Sequence, residues 1–175
     1  ERSESHLGFT TECEVIFAEK PNIRNSFYFD TPFQSGSIFG MHTAKGETAA
    51  STGWLSPDDA NFQVYLVKPN RESSDGYFFL TSSTPFPISE IKTDLFKGIY
   101  DNEKWNLAVS IRPEHYGITN LVTGSSAQAY KLEFFGTNVR GGVEERSFYK
   151  TQMIGSASAE KFLRSNKRMY VGAHR

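Results

Sequence analysis

Cysteine is nearly missing from this sequence: Cys13 stands alone among 175 residues, so no disulfide can close within the chain. Stability has to come from packing, and a chain of this length can bury enough apolar surface to supply it. A domain matured in an oxidising compartment more often carries a cysteine pair, so the lone thiol points to folding in a reducing cytoplasm. Cys13 itself reads as a small buried apolar group beside Val15 and Phe17. Charge of one sign is missing too. The 19 basic and 20 acidic residues leave a net charge of −1, which gives no field to gather phosphate backbones or anionic lipid. No apolar run approaches the roughly 20 residues a helix needs to cross a bilayer. Nucleic acid and membrane insertion are therefore not expected.

Catalytic and metal signatures are equally scarce. The sequence holds no phosphate-cradling Gly-x-x-x-x-Gly-Lys run and no Gly-x-Ser-x-Gly nucleophile turn, so ordinary nucleotide and esterase chemistry have no foothold. His6, His42, His115 and His174 are scattered without ligand spacing, and a zinc site would need assembly wholly by tertiary contact. No internal repeat and no Pro-, Gly- or Ser-rich linker divides the chain, which reads as one domain over residues 1–175. The stretch from Gly117 to Ala129 is a polar loop.

What the chain does have is aromatic side chains, 15 Phe and 8 Tyr, and alternation. In Lys104-Trp105-Asn106-Leu107-Ala108-Val109-Ser110-Ile111, the residues Trp105, Leu107, Val109 and Ile111 share one face, the period of two of a half-buried strand. Similar runs lie at Glu12 to Glu19, Phe27 to Phe29, Ser37 to His42, Phe62 to Val67, Tyr77 to Leu80, Tyr130 to Phe135, Ser147 to Ile154 and Met169 to Val171. Glu12 and Glu14 fall opposite Cys13 and read as the solvated face of the first strand. Between strands, Ile88, Ile91 and Leu95 recur at helical spacing behind Pro87, which predicts one or two turns of helix over Ile88 to Phe96. The reading is all-β: two antiparallel sheets packed face to face, with at most one short helix.

Three runs in order, Lys104-Trp105-Asn106-Leu107-Ala108-Val109, Tyr130-Lys131-Leu132-Glu133-Phe134-Phe135-Gly136 and Lys167-Arg168-Met169-Tyr170-Val171-Gly172-Ala173, resemble the laminin G-like, concanavalin A-like jelly-roll domains. With Ser37-Ile38-Phe39-Gly40-Met41-His42, Tyr65-Leu66-Val67-Lys68-Pro69 and Val171-Gly172-Ala173-His174-Arg175, the pattern looks like the laminin G-like segments of large structural proteins of marine tailed bacteriophages. The resemblance runs from about Phe27 onward. It implies a virion component made in the host cytoplasm, whose partners are other virion or assembly proteins and copies of itself. It also implies a further strand after the Val-Gly-Ala step, so the chain reads as a piece of a longer polypeptide, or as one completed by another chain.

The same resemblance sets two ligand expectations. Calcium occurs in many such domains, but the turn that commonly carries Asp-Gly reads Phe135-Gly136-Thr137-Asn138 here, without the carboxylate that calcium favours. No cofactor is expected. Hydrolases of this fold commonly carry Glu-x-Asp-x-x-Glu on one strand, to set two carboxylates about 5 to 10 Å apart. No such run occurs, so the chain reads as non-catalytic. The alternative reading is a cell-surface, carbohydrate-binding adhesin domain. Its candidate residues are Trp54, in the loop-like Thr52-Gly53-Trp54-Leu55-Ser56-Pro57, with Tyr116 and Asn120 on the polar loop. A Trp beside Leu in a loop more often plugs one end of a sandwich, and the basic group Lys161, Arg164, Lys167 and Arg168 reads more readily as a solvated approach to the last strand than as a surface for an acidic neighbour.

Overall fold

Among the described residues, alternating burial is realised as nine antiparallel strands in two sheets. The structure, a computed structural model, describes residues 8–18, 34–43, 60–70, 72–82, 90–114, 130–155, 158–159, 162–163 and 167–172. One sheet has the order β1-β6-β7-β8, built from Phe9–Phe17, Glu103–Pro113, Tyr130–Arg140 and Val143–Ile154. The other has the order β5-β4-β3-β2-β9, built from Ile91–Lys92, Tyr77–Thr81, Ala60–Val67, Ser35–Thr43 and Lys167–Val171. The chain crosses between sheets after β1, after β5 and after β8, so β1 lies beside β6 and β9 beside β2. The expected two-sheet antiparallel sandwich is what forms.

Register follows from which residues must be buried, because slipping a strand by one residue would turn its apolar set to water. Trp105, Leu107, Val109 and Ile111 of β6 face inward and are buried, as their spacing predicts. Tyr130, Leu132 and Phe134 of β7 lie on the same side, and Phe62, Val64, Leu66, Phe78 and Leu80 close the interior from the opposite sheet. Phe78 is the central contact, with ring centroids 5.0 Å from Trp105 and 5.3 Å from Phe148. Full burial of a side chain of this size contributes about 1.5–3 kcal/mol. The hairpin joining β7 to β8 turns on Gly141 (φ 59°) and Gly142 (φ 84°), the pair of left-handed residues that a two-residue turn requires and that glycine alone adopts without strain.

The helix expected over Ile88 to Phe96 does not form in the described part of that segment. Ile91–Lys92 is β5, not helix: Ile91 pairs with Leu80 and Lys92 with Phe79. Thr93 explains the outcome. Its Oγ1 accepts from Phe78 N–H at 2.9 Å and its own N–H donates to Phe78 C=O at 3.0 Å, which ties the segment to β4. Edge pairing of this kind satisfies backbone groups that a one-turn helix would leave open. Helical turns appear instead at residues 158–159 and 162–163. There Phe162 is buried against Phe9 at 6.0 Å and Phe62 at 6.2 Å, plugging one end of the sandwich. The expected strand at Phe27 to Phe29 lies outside the described residues.

Candidate interaction surfaces

Glu133 is 7% exposed although it belongs to the outward-facing set of β7. Register explains this. Arg112 and Lys131 face each other across β6 and β7, and Ser110 stands opposite Glu133 itself. Arg112 makes a two-pronged contact, Nε to Oε2 and Nη2 to Oε1, both at 2.8 Å. Lys131 Nζ lies 3.3 Å from Oε1, and the Tyr149 hydroxyl donates to the same oxygen. The Arg112 bonds hold the Glu133 carboxyl down at about 2 against the opposing effect of burial, with Tyr149 and Lys131 adding to the depression. Hydrogen bonding to Tyr149 and to Glu133 raises the Lys131 ammonium in turn. Such a carboxylate is anionic at every physiological pH and cannot serve as a proton donor.

A second acidic group is buried at the sandwich end where β6 begins. Glu103 is ion-paired with Arg146 of β8, and Arg140 approaches its other oxygen at 3.6 Å. Arg146 also donates to Lys97 C=O at 2.7 Å and lies 5.5 Å over the Trp105 ring. Asn138 donates to Lys104 C=O at 3.0 Å and accepts from Arg146 at 3.4 Å. One guanidinium thus caps the core by bridging both ends of a polar row and covering the tryptophan. Its planar fork suits this better than an ammonium would.

The outward face of the five-stranded sheet is aromatic. Tyr65 of β3 and Phe79 of β4 are directly paired, with ring centroids 6.5 Å apart. Lys92 Nζ sits 3.9 Å over the neighbouring Tyr77 ring. Tyr170 of β9 crosses over Gly40, and its hydroxyl donates to Gln63 Oε1 at 2.9 Å while the Gln63 amide donates to Ser37 Oγ. Burial, with the nearby Tyr65 adding to it, pushes the Tyr170 phenol up to about 12. Rings, an amide and hydroxyls therefore share one half-buried surface. Flat apolar faces beside hydrogen-bonding groups are what a sugar ring presents in complement.

Of the residues singled out from sequence, Trp54, Tyr116 and Asn120 lie outside the described residues, as do His6, His115, His174, Lys161 and Arg164. Trp105 is core, and Cys13 is buried with its thiol pushed up by desolvation. Glu12 and Glu14 stand exposed opposite Cys13, as expected, and Glu14 pairs with Lys104 at 3.1 Å. Among the described residues, no group of three or more His, Cys, Asp or Glu could hold a metal ion, and no helix is long and apolar enough to cross a membrane. Sequence reasoning missed Tyr65, Phe79 and Tyr170. The available signal was Tyr77-Phe78-Phe79-Leu80, a strand with rings on both faces.

No protein-family model, no curated protein and no solved structure matches this chain.

Proposed function

We propose that the chain is a non-catalytic structural and interaction module of a larger assembly, a decorating, cementing or projecting component of a bacteriophage virion. The observation that carries this reading is the use made of the buried carboxylates. Glu133 and Glu103 are both clamped by arginines, and the first is held at about 2, so their chemistry goes into bracing the sheets. The resemblance to phage laminin G-like segments supplies the assembly. An antibody against the domain, applied to purified particles, tests it. Regularly repeated labelling is expected, and intact particles that lack the protein would sink the idea.

A second reading, carbohydrate recognition, is favoured by the surface of Tyr65, Phe79, Tyr77 and Tyr170. A glycan array probed with and without calcium is expected to give a signal that Tyr65→Ala and Phe79→Ala abolish. A blank array in both conditions removes this reading and leaves the first standing.

A further inference from the structure

The two sides of the sandwich are finished differently. On the side of β8, the inward-facing row carries Arg146, Phe148, Lys150 and Gln152. Lys150 reaches Asp94 across the gap at 3.6 Å, and Arg146 is held by Glu103 and Lys97. Inward-pointing charges of this kind protect an edge strand from further pairing. On the side formed by β1 and β9, the inward row of β9 carries one charge, Lys167, which is turned onto the Phe162 ring at 4.6 Å and donates to Leu163 C=O at 3.1 Å, while the rest of that row is apolar. Val171 and Met169 pair with Phe39 and Met41, so they face the interior, yet they are 69% and 45% exposed. Thr11 Oγ1 to Met169 Sδ at 3.2 Å spans the gap between the sheets there, and Phe162 fills it beside Phe9 and Phe62. Interior-facing apolar residues left in water mark a surface that is completed by association.

Charge selects the partner. The outward row of β1 carries Glu12 and Glu14, the latter paired with Lys104 of β6, and the outward row of β9 carries Arg168. Two kinds of two-fold axis can bring this side against itself. One sets β1 on a second β1, and the acidic row then meets its own copy. The other sets β1 beside the second copy's β9, which places the carboxylates next to Arg168 twice, once at each end of the contact. We infer that β1 and β9 form the face on which a second copy of this chain docks, β1 against β9, covering Val171 and Met169. This deepens the assembly reading by naming a partner, and it can fail while that reading stands.

Sedimentation equilibrium of the 175-residue chain, with circular dichroism to verify folding, decides it. The wild type forms a dimer. Glu12→Lys with Glu14→Lys, or Arg168→Glu by itself, weakens it roughly tenfold or more, and mixing the two reversed chains restores a heterodimer. Val171→Asp also separates the copies, whereas Met153→Asp on the opposite edge leaves them associated. A chain that stays monomeric throughout the micromolar range overturns the inference, as does a dimer indifferent to the charge reversals. Particles that label for a monomeric chain would reject this interface and retain the assembly role.

Discussion

Tyr170 lies across Gly40, close enough that a Cβ at position 40 would collide with the phenol and stand 2.8 Å from Phe62 C=O. Glycine is thus what allows β9 to bring its ring flat against β2 and its hydroxyl to Gln63. Gly40→Ala forces the ring away and breaks the 2.9 Å bond to Gln63. A loss of about 1–3 kcal/mol is expected from overpacking of this kind, read as a lower urea midpoint with unchanged slope. A neutral result would mean that Tyr170 has another seat.

Phe78 touches Phe17, Phe96, Trp105 and Phe148 and so joins strands of both sheets. Phe78→Ala removes the ring at the centre of that cluster and leaves a cavity that rigid neighbours cannot fill. The expected cost is about 3–5 kcal/mol, while Phe78→Leu, which keeps most of the volume, costs roughly 1–3 kcal/mol. Thermal unfolding of the pair separates lost volume from lost aromatic contact.

Strands with one polar face were legible in the sequence, because Trp105, Leu107, Val109 and Ile111 could share a side in no other way. β5 was not, since Ile88, Ile91 and Leu95 fit a helix as well as an edge strand, and it is pairing with β4, with Thr93 and Phe96 bonded to Phe78 and Gly76, that decides between them. Glu133 was read as part of a strand without a site. Its burial depends on Arg112 and Tyr149 being its neighbours across β6 and β8, a matter of register that single-strand patterns do not carry. The aromatic face was hidden for a similar reason: Tyr65 and Phe79 meet through pairing, and Tyr170 reaches Gln63 across 107 positions of sequence. The sequence candidates Trp54, Tyr116 and Asn120 fall outside the described residues, so the surfaces found here are additional to them.

Arg146 makes three contacts that no smaller side chain reproduces together: Glu103, Lys97 C=O and Asn138. Arg146→Ala leaves Glu103 to the more distant Arg140 and uncovers Trp105. A cost of roughly 3 kcal/mol is expected for stranding a buried charge. Arg146→Lys should recover only part of it, because an ammonium offers a point charge without the fork. Trp105 is buried in the intact protein, so its fluorescence should shift to the red in the alanine variant as water reaches the ring. Full recovery with lysine would show that charge, not geometry, is what Glu103 needs.

Glu133 gives the fold an acid limit whose sign can be worked out. Its folded value, about 2, lies below the ordinary 4.5, so the folded state binds the proton more weakly than the unfolded state does. The carboxylate therefore stabilises the protein fully above the ordinary value, progressively less as pH falls from there toward 2, and not at all below. With Arg112 partly exposed and screened, the contribution is on the order of 2 kcal/mol. Glu133→Gln should lose this amount at neutral pH, flatten the acid side of the stability profile, and converge with the wild type as pH falls below 2, where the native carboxyl becomes neutral. Urea unfolding at a series of pH values from neutral downward measures the difference directly. A gap that stays constant across that range would mean Glu133 acts through shape and packing, and that the clamp of Arg112, Lys131 and Tyr149 contributes no charge-dependent stability.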